Sequence, residues 1–258
     1  MSVTPTPKRK AAIFGVPLAW IAAFGALIGV FSIVPMIFYI FGGGFLSAGM
    51  IVFSPLAGII MGPWAGYIAG LIGGLIGMLI SPASYPLGFI DANLSGAFIP
   101  LYWGLVKKNY WKFMIPWWIL WILVAIVWPY HIPGPAGGYK EAPEPYYTLS
   151  WSWTYIGFAL YLATLKFLND WISEKSTTTK KIAGLLIYNF IANTAWMVPW
   201  KIIYFALLMY PPETVIADNI ISWWAYTLPM VVATTIIAYA VVEAMRKSGM
   251  YRPPGGVV

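Results

Sequence analysis

Four side chains with chemical capability stand inside stretches that are otherwise apolar: Asp91, Asn189, Asn193 and Lys201. Such groups are costly in a low-dielectric setting unless they meet a partner, a ligand or water. Asn189, Asn193, Trp196, Trp200 and Tyr204 recur at helical spacing, and at 100° per residue they fall within an arc of about 80°. One face thereby combines amide donors and acceptors with rings for stacking, which is the chemistry of orienting a polar solute. Lys201 lies about 60° beyond Tyr204 on the same wheel, and Pro199 is placed to kink that helix. Asp91 opens another apolar stretch, whose face continues through Ser95, Phe98 and Tyr102. Asp91 and Lys201 either pair with each other or flank a ligand. The alternatives are that Asp91 answers the helix dipole in a first turn and that Lys201 snorkels outward.

No catalytic set accompanies these groups. The chain has no cysteine and a single histidine, His131. It carries no paired-carboxylate motif, no His-Glu metal spacing, no phosphate-cradling loop before a lysine and no Ser-His pair on one face. The expectation is a binding protein rather than an enzyme, with no metal and no cofactor.

Composition says what kind of scaffold must hold these residues. Of 258 residues, 60% are hydrophobic, 18% aromatic and only 9% charged, against about 25% charged in an ordinary globular domain. Mean hydropathy is +0.77. A soluble enzyme, a disordered tail and a nucleic-acid binder are excluded. The chain reads as an all-α, polytopic transmembrane bundle forming a single integral membrane domain over 1–258. A bilayer core of about 30 Å needs about 20 apolar residues at 1.5 Å each. Spans are expected at 12–34, 45–61, 63–81, 88–106, 113–129, 149–170, 182–209 and 220–243, eight in all, with a cytoplasmic tail at 1–11. The second and third join at Gly62-Pro63 without a polar loop, and proline suits the first turn of the next helix.

The positive charges orient the bundle. With eight spans, one side collects Lys8, Arg9, Lys10, Lys107, Lys108, Lys112, Lys175, Lys180, Lys181, Arg246, Lys247 and Arg252, twelve of the 15 basic residues. Lys166 lies at the edge of that side. The other side holds Lys140 with Glu141, Glu144, Glu213 and Asp218. Both termini are therefore expected in the cytoplasm, and Asp91 and Lys201 in the outer half of their spans. The Pro- and Gly-rich stretch 130–148 is an external loop. Of the outer tryptophans, Trp128, Trp151, Trp153, Trp223 and Trp224 fit an interfacial aromatic belt, while Trp196 and Trp200 share the asparagine face.

Glycine is concentrated before residue 113. Gly58, Gly62, Gly66, Gly70 and Gly74 repeat every four residues, a spacing that lets helix backbones approach closely in lipid. The first span has its own small residues: Gly15, Ala19, Ala22, Ala23, Ala26 and Gly29. That face either packs inside the bundle or docks a partner's helix.

The segment from Pro55 to Gly70, with Gly62-Pro63-Trp64-Ala65-Gly66 at its centre, resembles the junction of the second and third helices in the substrate-binding S components of energy-coupling factor (ECF) transporters. Pro82 and Pro86 in a short external turn, and a fourth helix ending Tyr102-Trp103-Gly104-Leu105-Val106-Lys107-Lys108, extend the likeness over 12–112. In that family an Ala-x-x-x-Ala face on the first helix docks the membrane coupling subunit, which Ala22 with Ala26 and Ala19 with Ala23 match. The family has six helices, so 113–171 would be an inserted pair and 182–247 the last two helices. Its common acidic residue within the third helix is replaced here by Gly73 and Gly74. The resemblance implies a capture subunit for a vitamin or similar micronutrient in the cell membrane. It would work with a transmembrane coupling subunit and two cytoplasmic ATPases. A different multi-pass permease, or a structural or assembly protein without ligand, are the competing readings.

Overall fold

The computed structural model describes residues 11–41, 43–127, 143–250 and 256. His131, Trp128, Lys140, most of the 130–148 loop, the tail 1–10 and Arg252 lie outside the described residues. The described chain is predominantly helical. A tight pair of two-residue strands, β1 (Ala12–Ile13) and β2 (Val16–Pro17), leads into α1 (Leu18–Ile33). Then come β3 (Pro35–Phe38) and β4 (Phe45–Ser47), an antiparallel hairpin, followed by α2 (Gly49–Met61) and α3 (Pro63–Ile80). Next are α4 (89–105), α5 (Lys108–Val127), α6 (146–164, interrupted at Trp151), the short α7 (Leu168–Ile172), α8 (Thr178–Leu207) and α9 (Pro212–Lys247).

Four helices, α3, α5, α8 and α9, are long and apolar enough to cross a membrane, and α1 and α2 are shorter apolar helices. Several expected boundaries move. The first span, expected over 12–34, begins with the β1–β2 turn, and its helix starts only at Leu18. The β3–β4 hairpin, turned through Gly43 and Gly44 at φ +73° and +101°, occupies what reads as a linker and claims the first residues of the 45–61 span. The 149–170 span is divided into α6 and α7, where Phe167 closes a turn onto Thr164. The last span begins at Pro212 instead of residue 220, because proline at the first helical position starts the helix earlier. The consequence is that Asp218, expected in an external loop, lies inside α9 and is 6% exposed.

The glycine row packs inside the bundle. Gly62, at φ +79°, ends α2, and Pro63 opens α3. Along α3, Gly70 and Gly74 face Gly96 of α4. A Cβ on Gly96 would lie 2.7 Å from Gly74 Cα, closer than packed atoms allow. The α1 face divides. Gly25 and Gly29 are buried against Ile72 and Ile76 of α3, whereas Ala19, Ala22, Ala23 and Ala26 are exposed on the opposite side.

Contacts gather the connections into two ends. At one end Ser84 donates to Ser32 O (2.8 Å), Ile40 N to Tyr226 Oη (2.6 Å) and Asn219 Nδ2 to Ser150 Oγ (3.1 Å). At the other, Lys181 pairs with Glu243 at 3.0 Å, Arg246 donates to Ile172 O at 2.7 Å and Lys107 donates to Gly256 O. The second end holds Lys107, Lys181 and Arg246. The first holds the site.

Candidate functional site

α8 supplies most of the site because it runs through the middle of the bundle and is buried along nearly its whole second half. Its expected face of Asn189, Asn193, Trp196, Trp200 and Tyr204 is wholly buried, yet it serves two purposes. Asn189 accepts from Trp103 Nε1 (2.8 Å) and donates to Thr235 Oγ1 (2.9 Å), tying α4, α8 and α9 together. Asn193 donates to Met230 Sδ at 2.9 Å, and its Oδ1 has no partner. Further along, Trp196 Nε1 donates to Leu94 O (2.6 Å) and its ring stands 5.8 Å from that of Trp200. Trp200 is stacked on Tyr204 with centroids 5.0 Å apart and planes 21° apart. Asn189 thus belongs to the packing, and Trp200 and Tyr204 line a cavity.

That cavity is small, about 10 Å³, the room of a single water molecule. Tyr39, Phe41, Trp200, Tyr204, Phe205, Tyr210, Asp218 and Tyr226 line it. The β3–β4 hairpin closes it from one side. Tyr39 lies 5.5 Å from Trp200, 6.1 Å from Tyr204 and 6.4 Å from Tyr226, centroid to centroid. Burial, and then the charge of Asp91, hold the Tyr39 phenol well above its ordinary range. It stays protonated, and its buried Oη has no partner.

Two carboxylates and one ammonium sit around this box. Asp91 is fully buried. Its Oδ1 accepts from Ser95 Oγ and from Trp200 Nε1 at 3.2 Å, and the Leu87 backbone N–H also interacts with the carboxyl. Of the two arrangements open to Asp91 and Lys201, pairing with each other is not the one made. Lys201, also fully buried, donates to Asp218 Oδ2 (2.6 Å), Ser222 Oγ (2.6 Å) and Asn219 Oδ1 (3.1 Å). Its Nζ lies 5.6 Å from the ring centroids of both Trp153 and Phe205. A fully buried ammonium held by three hydrogen-bond acceptors and two rings cannot snorkel. Trp153 and Trp151 are each 1% exposed, so they are core residues instead of belt residues, drawn inward by the lysine and by each other (5.7 Å). Trp224, 73% exposed, does stand outward as a belt residue would.

Three π-helical stretches are present among the described residues: Gly49–Phe53 in α2, which does not line the cavity, and two beside the site. Ala92–Ala97 in α4, immediately after Asp91, and Trp223–Thr227 in α9, which carries Tyr226, are π-helical, a local widening that re-aims side chains and is frequent at functional sites. Sequence reasoning did not reach Tyr39, Phe41, Phe205, Tyr210, Asp218 and Tyr226. The signal for the first two was present: a triple glycine, Gly42-Gly43-Gly44, flanked by aromatic and apolar residues, is a hairpin turn pattern. Comparison of the chain with family models, characterised proteins and solved structures returned no match.

Proposed function

We propose that this chain is a membrane-embedded solute-binding subunit of an ECF-type uptake transporter, capturing a vitamin-like solute and handing it on by movement against a coupling subunit. The observation that carries the reading is the aromatic box under the β3–β4 hairpin. It combines stacked rings, the buried carboxylate of Asp218 and the buried hydroxyl of Tyr39 at one end of an apolar helical bundle, the composition of a small-molecule site. In this reading eight helices, α1 to α6 with α8 and α9, cross the cell membrane. The basic end and both termini face the cytoplasm, and the box opens outward. The exposed alanine side of α1, with Ala19, Ala22, Ala23 and Ala26, meets the coupling subunit, and two cytoplasmic ATPases drive the cycle.

Uptake into proteoliposomes tests this. The chain alone should retain solute without moving it, and transport should need the coupling subunit and both ATPases. Transport by the chain alone would overturn the proposal in favour of a self-contained permease.

A further inference from the structure

We infer that the solute taken by the aromatic box is an organic cation. This rests on the solute-binding reading above and names its substrate class. The charged side chains described at this end of the bundle are Asp91, Glu144, Glu213 and Asp218 against one cation, Lys201. Lys201 has no donor left for a ligand, because its three N–H groups already meet Asp218, Asn219 and Ser222. An anionic solute would find no free ammonium and two buried carboxylates.

The carboxylates, by contrast, are incompletely engaged. Asp218 lines the cavity and uses only Oδ2 for Lys201 and Ser222. Asp91 is 0% exposed and meets only neutral donors among the described residues, Ser95, the Leu87 backbone and Trp200, whose ring walls the cavity. Counted by formal charge, Asp91, Asp218 and Lys201 sum to one negative, which a cation balances and a neutral solute does not.

The walls suit the same sign. Aromatic faces are negative at their centres and attract a cation within about 6 Å of the ring centroid. Trp200, Tyr204, Tyr39 and Tyr226 present four such rings around one small space. The bundle already uses this device next door, where Trp153 and Phe205 each lie 5.6 Å from the Lys201 ammonium. Exposed Glu144 and Glu213 add negative potential at the same end of the bundle, which raises the local concentration of cations.

The test uses the full chain in nanodiscs, with tryptophan fluorescence as readout. Three probes share one ring and differ in charge: 1-methylnicotinamide, nicotinamide and nicotinate. The cation should quench tryptophan emission saturably, with an affinity at least tenfold above the neutral amide, and nicotinate should not compete. Asp91→Asn should remove most of that preference while thermal unfolding of the variant stays cooperative. Should Asp91→Asn not fold, mass spectrometry of the small molecule co-purified with the native chain decides the charge. A solute with a fixed positive charge supports the assignment. A neutral or anionic solute displaced with a change in tryptophan emission overturns it and leaves the capture reading standing. No bound solute, and no quenching by any probe, overturns both.

Discussion

Lys201 Nζ lies 2.6 Å from Asp218 Oδ2, so the buried lysine takes its counter-charge from the next helix and leaves Asp91 with a carboxylate that no described cation meets. The pair ties α8 to α9 and, through Asn219 and Ser150, to α6. Removing one partner of a buried pair costs about 3–5 kcal/mol, whereas replacing both by apolar groups is close to neutral. Lys201→Met should therefore destabilise the detergent-solubilised chain strongly, and Lys201→Met with Asp218→Leu should recover most of the loss. Thermal unfolding measures it. Equal instability in single and double variants would show that the surrounding hydrogen bonds, and not the charge pair, hold this corner.

The two halves of the α8 face should separate in mutagenesis. Trp200 walls the cavity and bonds Asp91, so Trp200→Ala should weaken solute affinity at least tenfold, which needs only about 1.4 kcal/mol. Asn189 bridges Trp103 and Thr235 with no part in the cavity. Asn189→Ala strands the buried Trp103 Nε1 at a cost of about 1–3 kcal/mol, while Thr235 Oγ1 keeps its bond to Val231 O, and should lower the unfolding temperature while leaving affinity unchanged. Isothermal titration beside thermal unfolding reads both. Loss of affinity in Asn189→Ala alone would move the site down the bundle.

Much of the scaffold was legible because lipid imposes simple rules. Hydropathy and charge partition identify apolar helices and sort the described basic residues Lys107, Lys181 and Arg246 to one end, and the Gly62-Pro63 break falls where the residue types require it. The α8 wheel likewise placed Trp196, Trp200 and Tyr204 together. What stayed hidden depended on tertiary contacts. Lys201 and Asp218 are in different helices, so no periodicity joins them, and the Pro212 start that turns Asp218 inward looked like loop. The hairpin escaped because its residues are as apolar as the spans beside it, so hydropathy alone cannot tell strand from helix there.

The two sides of α1 give opposite expectations for the same kind of change. Ala22 and Ala26 are exposed, so Ala22→Leu and Ala26→Leu should leave unfolding temperature and solute binding unchanged while abolishing energy-coupled uptake. Gly29 has no such room: a Cβ there would lie 2.6 Å from Ile76 Cγ2, and overpacking costs about 1–3 kcal/mol or more. Gly29→Leu should unfold the bundle. If the alanine variants also lose stability, that side of α1 is packed within an assembly of this chain itself.

Topology can be tested cleanly because the chain has no cysteine of its own. Thr178 and Glu213 are both exposed at opposite ends. In intact cells, an impermeant maleimide should label a cysteine placed at Glu213 and not one placed at Thr178, which should react only after permeabilisation. Labelling of Thr178→Cys from outside would invert the orientation and the reading of the box as outward-facing.

The closed cavity makes a kinetic demand. Ligand sites for small molecules run to about 300–1,000 Å³, far beyond the 10 Å³ present between Tyr39 and Trp200. A solute can enter only if the β3–β4 hairpin moves, because α8 and α9 are held together by the Lys201 network and the hairpin is the lighter element. Its tip is fastened where Ile40 N donates to Tyr226 Oη at 2.6 Å. Tyr226→Phe removes the acceptor and keeps the ring, a loss of about 1 kcal/mol that corresponds to about a fivefold change in rate. Solute release, followed by stopped-flow tryptophan fluorescence, should quicken by about that factor, with Tyr39→Ala faster still and weaker in affinity. Equal release rates in the native chain and both variants would mean that the hairpin is fixed and that solute reaches the box by separation of the helices.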